Sequence, residues 1–231
     1  HVGAVDFESR LVYSRNVNKV KKLVRNYHTG IDNQVINFTE TSAGGGFIRE
    51  GDSMGDVYIT KVLKRDAAGN IAVGADGSLS SMDLPNGQRL KIGNTNPDFT
   101  LGWRNNISWK GLNLSFLINA RVGGIVTSAT QAVLDQFGVS KATADARDRG
   151  YVEVAGGQKV DPQKYYEVVA NQQLMGYYYY SATNVRLQNV SLSYTLPKTL
   201  LGQGWPGVTV GLIANNLWMI YNKAPFDPEV A

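Results

Sequence analysis

A chain of 231 residues with 18% charged side chains and a net charge of +4 can form one large or two small domains, and its charge is too slight and too evenly spread to mark a nucleic-acid surface. The absence of cysteine excludes a disulfide framework and thiolate metal sites. No run of about 20 apolar residues is present, so no transmembrane helix is expected, and 25 glycines and 12 tyrosines in a 43% apolar chain suit an all-β fold. His1-Val2-Gly3-Ala4 carries neither a basic nor an apolar leader region, which for an exported protein would make this an internal piece of something longer.

Residues 4–14 alternate loosely, with Val5, Phe7, Ser9, Leu11 and Tyr13 against Asp6, Glu8, Arg10 and Val12, and predict a strand with one charged face. Residues 15–22 read as a basic solvated turn, and 34–38 as a short strand. Gly44-Gly45-Gly46 lacks the following Gly-Lys-Ser/Thr of a phosphate cradle. Gly51-Asp52-Ser53-Met54-Gly55 has the Gly-x-Ser-x-Gly spacing of a hydrolase nucleophile elbow, but that chemistry needs a histidine base downstream, and both histidines, His1 and His28, lie upstream. Residues 56–64 predict the next strand. Residues 65–89 predict a surface loop, and Asp66, Asn70, Asp76 and Asp83 within it lack the alternating spacing of a calcium loop.

The strongest periodicity follows. Phe99, Leu101, Trp103, Ile107 and Trp109 alternate with Thr100, Arg104, Asn106, Ser108 and Lys110. After a Lys110-Gly111 turn, Leu112, Leu114, Phe116, Ile118, Ala120 and Val122 oppose Asn113, Ser115, Asn119 and Arg121. The period is two, so this is a hairpin with one greasy and one wet face. A strand of about 12 residues tilted by about 40° rises roughly 30 Å, enough for the apolar band of an outer-membrane barrel. A soluble sandwich alternates in the same way. The mid-strand arginines, the aromatics near both strand ends, and the contrast between a two-residue turn and an excursion over 124–183 favour the barrel.

Within that excursion, helical spacing predicts helices over 128–137, closed by Gly138, and over 141–149, capped by Ser140 and ended by Gly150. A third is launched by Asp161-Pro162 toward Met175. Tyr165, Tyr166 and Tyr177 to Tyr180 cluster here. They either stack on sugar or peptide above a barrel mouth, or pack the loop on itself and form the outer aromatic girdle. Residues 184–196 and 208–218 complete about six strands, joined by a turn over 197–207 that its prolines and glycines keep out of a ladder.

The run Ile92-Gly93-Asn94-Thr95-Asn96-Pro97-Asp98-Phe99 with its Trp109-Lys110-Gly111 turn resembles a late barrel strand of SusC/RagA-type TonB-dependent outer-membrane transporters. In the expected order stand also Asn16-Val17-Asn18-Lys19-Val20, Arg49-Glu50-Gly51-Asp52-Ser53-Met54-Gly55, Arg121-Val122-Gly123-Gly124, Val185 to Tyr194, and Asn215-Asn216-Leu217 leading to Phe226-Asp227-Pro228-Glu229.

The resemblance implies about six strands of a transmembrane barrel of about 22, in a Gram-negative outer membrane. The plug and the final closing strand would lie outside this stretch. It further implies TonB-driven import of oligosaccharides or peptides, with a SusD-like lipoprotein lid, TonB acting through the plug, and no cofactor of its own. Arg104, Asn106, Asn113, Asn119 and Arg121 would line the lumen, and Tyr165, Tyr166 and Tyr178 would meet cargo. The Gly51 to Gly55 run would be a structural turn. The rival classes are a soluble β-sandwich binding or adhesion domain and a serine hydrolase using Ser53.

Overall fold

The computed structural model describes residues 5–28, 34–43, 46–170, 172–197, 199 and 207–229. The period-two stretches form one antiparallel sheet of five strands in chain order: β1 (Val5–Ser14), β2 (Phe99–Trp109), β3 (Leu112–Val122), β4 (Asn184–Thr195) and β5 (Thr209–Asn222). The β2–β3 turn holds Lys110 at φ 44° and Gly111 at φ 84°. This double left-handed turn matches the twist of the strands it joins. A Cβ on Gly111 would come within 2.8 Å of the Thr195 carbonyl oxygen, so the site is closed to larger residues twice over.

Register converts the alternation into continuous rows. Phe7, Ile107, Leu114, Leu192 and Leu212 stand side by side across all five strands, as do Leu11, Trp103, Ile118, Leu187 and Trp218. On the opposite face run Glu8, Asn106, Ser115 and Ser191, and nearer the strand ends Ser14, Thr100, Arg121, Asn184 and Asn222. Several residues break the rule: Val12, Leu117, Ile213 and Met219 sit in polar rows, and Ser9 and Asn105 stand side by side in the apolar face, next to Phe116. The β3–β4 and β4–β5 ladders carry register shifts beside Gln188.

The apolar rows are not tucked into a core. Phe7 is 61% exposed, Leu11 68%, Leu212 75% and Trp218 62%, and the buried hydrophobic residues come from elsewhere in the chain. A soluble sandwich would need a second sheet over this face, and among the described residues the five strands form one layer.

The second compact unit comprises residues 17–95 and 125–180. Here the sequence expectation for 56–64 is corrected. The stretch breaks at Thr60 into Asp56–Ile59, paired with Leu90–Asn94, and Lys61–Leu63, paired with Ser81–Asp83, so the sheet has five strands rather than six. The supposed surface loop over 65–89 is partly core, because Ile71 and Leu79 are buried with Leu63, Val160, Val169 and Leu174. The short strand expected over 34–38 is Val35–Ile36, paired with Tyr27–His28.

Three helices follow their caps: α1 (Ala129–Gln136), α2 (Lys141–Arg149) and α3 (Pro162–Val169) begin where Ser128, Ser140 and Asp161 accept from the backbone N–H groups of Gln131, Thr143 and Lys164. Gly138 and Gly150 take the left-handed conformation expected of them. The third helix stops short of Met175, and Gln172–Tyr178 is a separate 3-10 segment. No helix among the described residues is long and apolar enough to cross a membrane. His1, Gly44, Gly45 and most of the expected 197–207 turn lie outside the described residues.

Candidate functional site

The wet face of the sheet is a hydrogen-bonded polar wall. Asn106 donates from Nδ2 to Glu8 Oε2 at 3.1 Å, the Ser108 hydroxyl donates to Asn113, and Asn119 donates to Gln188. Arg104 is exposed and stands directly opposite Arg10 on β1, a like-charge pair that an aqueous setting tolerates and a dry one would not. Near the strand ends away from the Lys110-Gly111 turn, Asn119 and Arg121 line a recess of about 440 Å³ with Val12, Thr100, Gly102 and Glu229. The structure thus brings Asn119 and Arg121 to one place and spreads Arg104, Asn106 and Asn113 toward the turn.

Sequence reasoning missed the charged centre of this wall. Arg186 on β4 is 5% exposed and pairs with Asp227 at 2.6 Å and Glu229 at 3.3 Å. Burial pushes the Asp227 carboxyl up, but the Glu229 N–H and Arg186 outweigh it and hold the carboxyl below its ordinary value. The Phe226-Asp227-Pro228-Glu229 run and the Val185 to Tyr194 run that holds Arg186 both carried a signal in sequence, but nothing in either pairs them across some 40 positions.

In the second unit the tyrosines divide. Tyr178 is 3% exposed and donates its hydroxyl to Asp135 Oδ2 at 3.1 Å, while Gln131 donates to Oδ1 at 2.8 Å. Burial, then Asp135, pushes the Tyr178 hydroxyl strongly up. Tyr178 is therefore core, and the expectation that it meets cargo is corrected: a ring inside the packed cluster presents no face to a ligand. Tyr165 packs edge-on to Tyr166 at 5.1 Å, and its hydroxyl is pushed up to about 12, chiefly by burial. Tyr166 reaches a cavity of about 310 Å³, which it lines with Asp135, Phe137, Arg147, Gln163 and Glu167. Arg147 is fixed there by donating to the Gly138 carbonyl, and Phe137 is exposed at the rim.

The Ser53 turn is held by polar bonds rather than poised for attack. The Ser53 hydroxyl donates to Asn18 Oδ1 at 2.7 Å and accepts from the Gly55 N–H at 3.2 Å. Asp56 closes the turn, accepting from Lys91 Nζ at 2.6 Å, Asn94 Nδ2 at 2.6 Å and the Ser53 N–H at 2.9 Å. Burial raises the Asp56 carboxyl, and these three donors more than reverse it. His28 is exposed in a short strand and forms no base for Ser53.

A sheet that is apolar and bare on one side, polar on the other, and interrupted by long structured excursions opposite a two-residue turn is a segment of β-barrel wall with its loops. No protein-family profile matches the chain. At 27% identity over 233 residues it is similar to TonB-dependent receptor P3 of Formosa agariphila, the match covering 94% of this chain and 22% of the receptor. Its fold is similar to the RagAB peptide importer in the open-open state (TM-score 0.67) and in the closed-closed state (0.65), at 19% identity, covering all of this chain and 25% of theirs. The chain therefore spans about a quarter of the length of these relatives, and its resemblance to SusC/RagA-type TonB-dependent receptors holds in sequence and in fold.

Proposed function

We propose that this chain forms part of the wall and outer loops of a TonB-dependent importer in a Gram-negative outer membrane. The observation that carries the reading is the pair of unbroken apolar rows across five strands, exposed on a face where a soluble protein would hide them. The 11-residue strands β2 and β3 rise roughly 25 to 30 Å when tilted, which matches a hydrocarbon core. The polar rows with Arg104, Asn106, Asn113, Asn119 and Arg121 would line the lumen or meet a plug supplied by the rest of the protein.

Cargo is an oligosaccharide or a peptide. Tyr166 and Phe137, an aromatic pair beside Arg147 and Glu167, are the loop residues best placed to meet it. A surface lipoprotein of the SusD kind is the expected lid, and TonB the expected source of work, acting through the plug. The chemistry is transport, not catalysis.

Topology tests this directly. In intact cells carrying the complete receptor, a membrane-impermeant maleimide should label Phe137→Cys, in the outer loops. It should reach Lys110→Cys, at the short turn, only after the cells are broken. Labelling of the Lys110→Cys protein in intact cells would overturn the orientation.

A further inference from the structure

β5 ends at Asn222 on one edge of the sheet, yet Glu229, seven residues on, lies on the far part of the wet face. Its Oε2 reaches Arg186 on β4, and it shares the recess with Asn119 and Arg121 of β3, Thr100 and Gly102 of β2 and Val12 of β1. Three strand spacings of about 4.8 Å separate β5 from β2, about 14 Å in all, and seven residues span that with slack.

The crossing is built, not draped. Asn222 donates from Nδ2 to the Phe226 carbonyl at 2.6 Å and accepts at Oδ1 from the Ala224 N–H at 3.2 Å. Asp227 Oδ1 accepts from the Glu229 N–H at 3.0 Å and from Arg186 at 2.6 Å, and Ala224 and Pro228 are buried.

The charges close on themselves. Arg186, nearly buried, takes two carboxylates, and the surplus negative charge of Glu229 faces the recess that Arg121 also lines. We propose that residues 223–229 are an inward-folded strap that sets the ionic selectivity of this end of the pore. It cancels Arg186 and sets Glu229 against Arg121, so that the recess favours neither anionic nor cationic solutes. Without the strap carboxylates, the positive charges of Arg121 and Arg186 make this end of the wet face cationic, and it draws anions. The inference rests on the wet face lining a pore.

The test uses the complete receptor in outer membranes, its other cysteines removed and Thr100→Cys placed in the recess. The readout is the ratio of reaction rates with an anionic (sulfonatoethyl) and a cationic (trimethylammonioethyl) methanethiosulfonate. Adding Asp227→Asn and Glu229→Gln should raise the anionic-to-cationic ratio by about tenfold, Arg186→Gln should lower it, and 1 M salt, with a Debye length of about 3 Å, should erase both changes. Glu229→Gln alone, which leaves Arg186 paired with Asp227, should give about a threefold rise, so misfolding of the other variants does not remove the test. A ratio unchanged across all variants, or no reaction of Thr100→Cys in any of them, overturns the strap. Should Phe137→Cys and Lys110→Cys label as expected while the ratio stays flat, the strap fails and the barrel reading stands.

Discussion

Replacing Phe116 with arginine probes the sorting of faces most sharply. Phe116 lies four residues from Leu112 at the turn end of β3, about 10 Å up a tilted strand that rises about 25 Å, so its ring sits within about 3 Å of the midplane. A guanidinium there costs about 2 to 4 kcal/mol in a barrel wall. The substitution also removes the edge-to-face packing of Phe116 on Trp103, at 6.1 Å between ring centres, worth about 0.5 to 1.5 kcal/mol. The expected loss is therefore about 3 to 5 kcal/mol. Ser115→Arg, one residue away and flanked by Asn106 and Ser191 on the polar face, should cost under about 1 kcal/mol, because its charge stays in water and lies one strand from the Glu8–Asn106 bond. Urea unfolding of the complete barrel in lipid vesicles, read by tryptophan fluorescence, measures both. Equal penalties at the two positions would refute the assignment of faces and the transport reading built on it.

Other outcomes follow from particular side chains. Both polar atoms of Asn105 lack a hydrogen-bond partner, and Trp103, which donates to Ser9 at 3.0 Å and packs on Phe116, bridges the two residues flanking Asn105. Asn105→Leu should thus leave barrel stability unchanged or raise it by about 1 to 3 kcal/mol in the same urea assay, and Trp103→Ala should lower it. Asp56→Asn should weaken the turn that joins Ser53, Lys91 and Asn94 by about 1 to 3 kcal/mol, visible as faster amide exchange at Ser53. Because the Asp56 carboxyl is held below its ordinary value, its contribution is present above about pH 4 and is lost as pH falls further; protection that grows under acid would contradict this. The Tyr165 hydroxyl, raised to about 12, keeps its proton where an unfolded chain has lost it, so the loop unit should lose stability between about pH 10 and 12. Near-ultraviolet dichroism against pH reads this, and full tyrosine ionisation near pH 10 without change in the spectrum would count against it. Ser140→Ala should destabilise α2 by about 1 kcal/mol, measured by exchange at Thr143, whose N–H the serine accepts.

What was legible in the sequence was what is local. Alternation from Phe99 to Val122 needs only the pleat, and the caps at Ser128, Ser140 and Asp161 need only the next turn of chain, so these two strands and the helix starts came out within a residue or two, while the last strand, expected over 208–218, runs on to Asn222. What was not legible depends on distant partners. Residues 56–64 read as one strand because their pattern is silent about two different neighbours, Leu90–Asn94 and Ser81–Asp83. Ile71 and Leu79 looked like loop residues because polar neighbours mask them, and Tyr178 looked available because its acceptor, Asp135, lies 43 positions away. Arg104, Asn106, Asn113, Asn119 and Arg121 followed from parity, whereas Arg186 and the acids that hold it became visible once β4 and the strap were in place.

The irregularity beside Gln188 carries a consequence for how this wall tolerates change. Leu117 stands opposite Asn189 and Ile118 opposite Leu187, so one extra residue inverts the phase of everything before it in β4. Counting by twos from Val190 would aim Arg186 into hydrocarbon; the inserted position turns it to the water side, opposite Asn119. A single-codon deletion at Gln188 would therefore take out the bulge and leave Leu187 and Arg186 on their present faces, whereas a ladder closed over Gln188 would exchange the two across the wall.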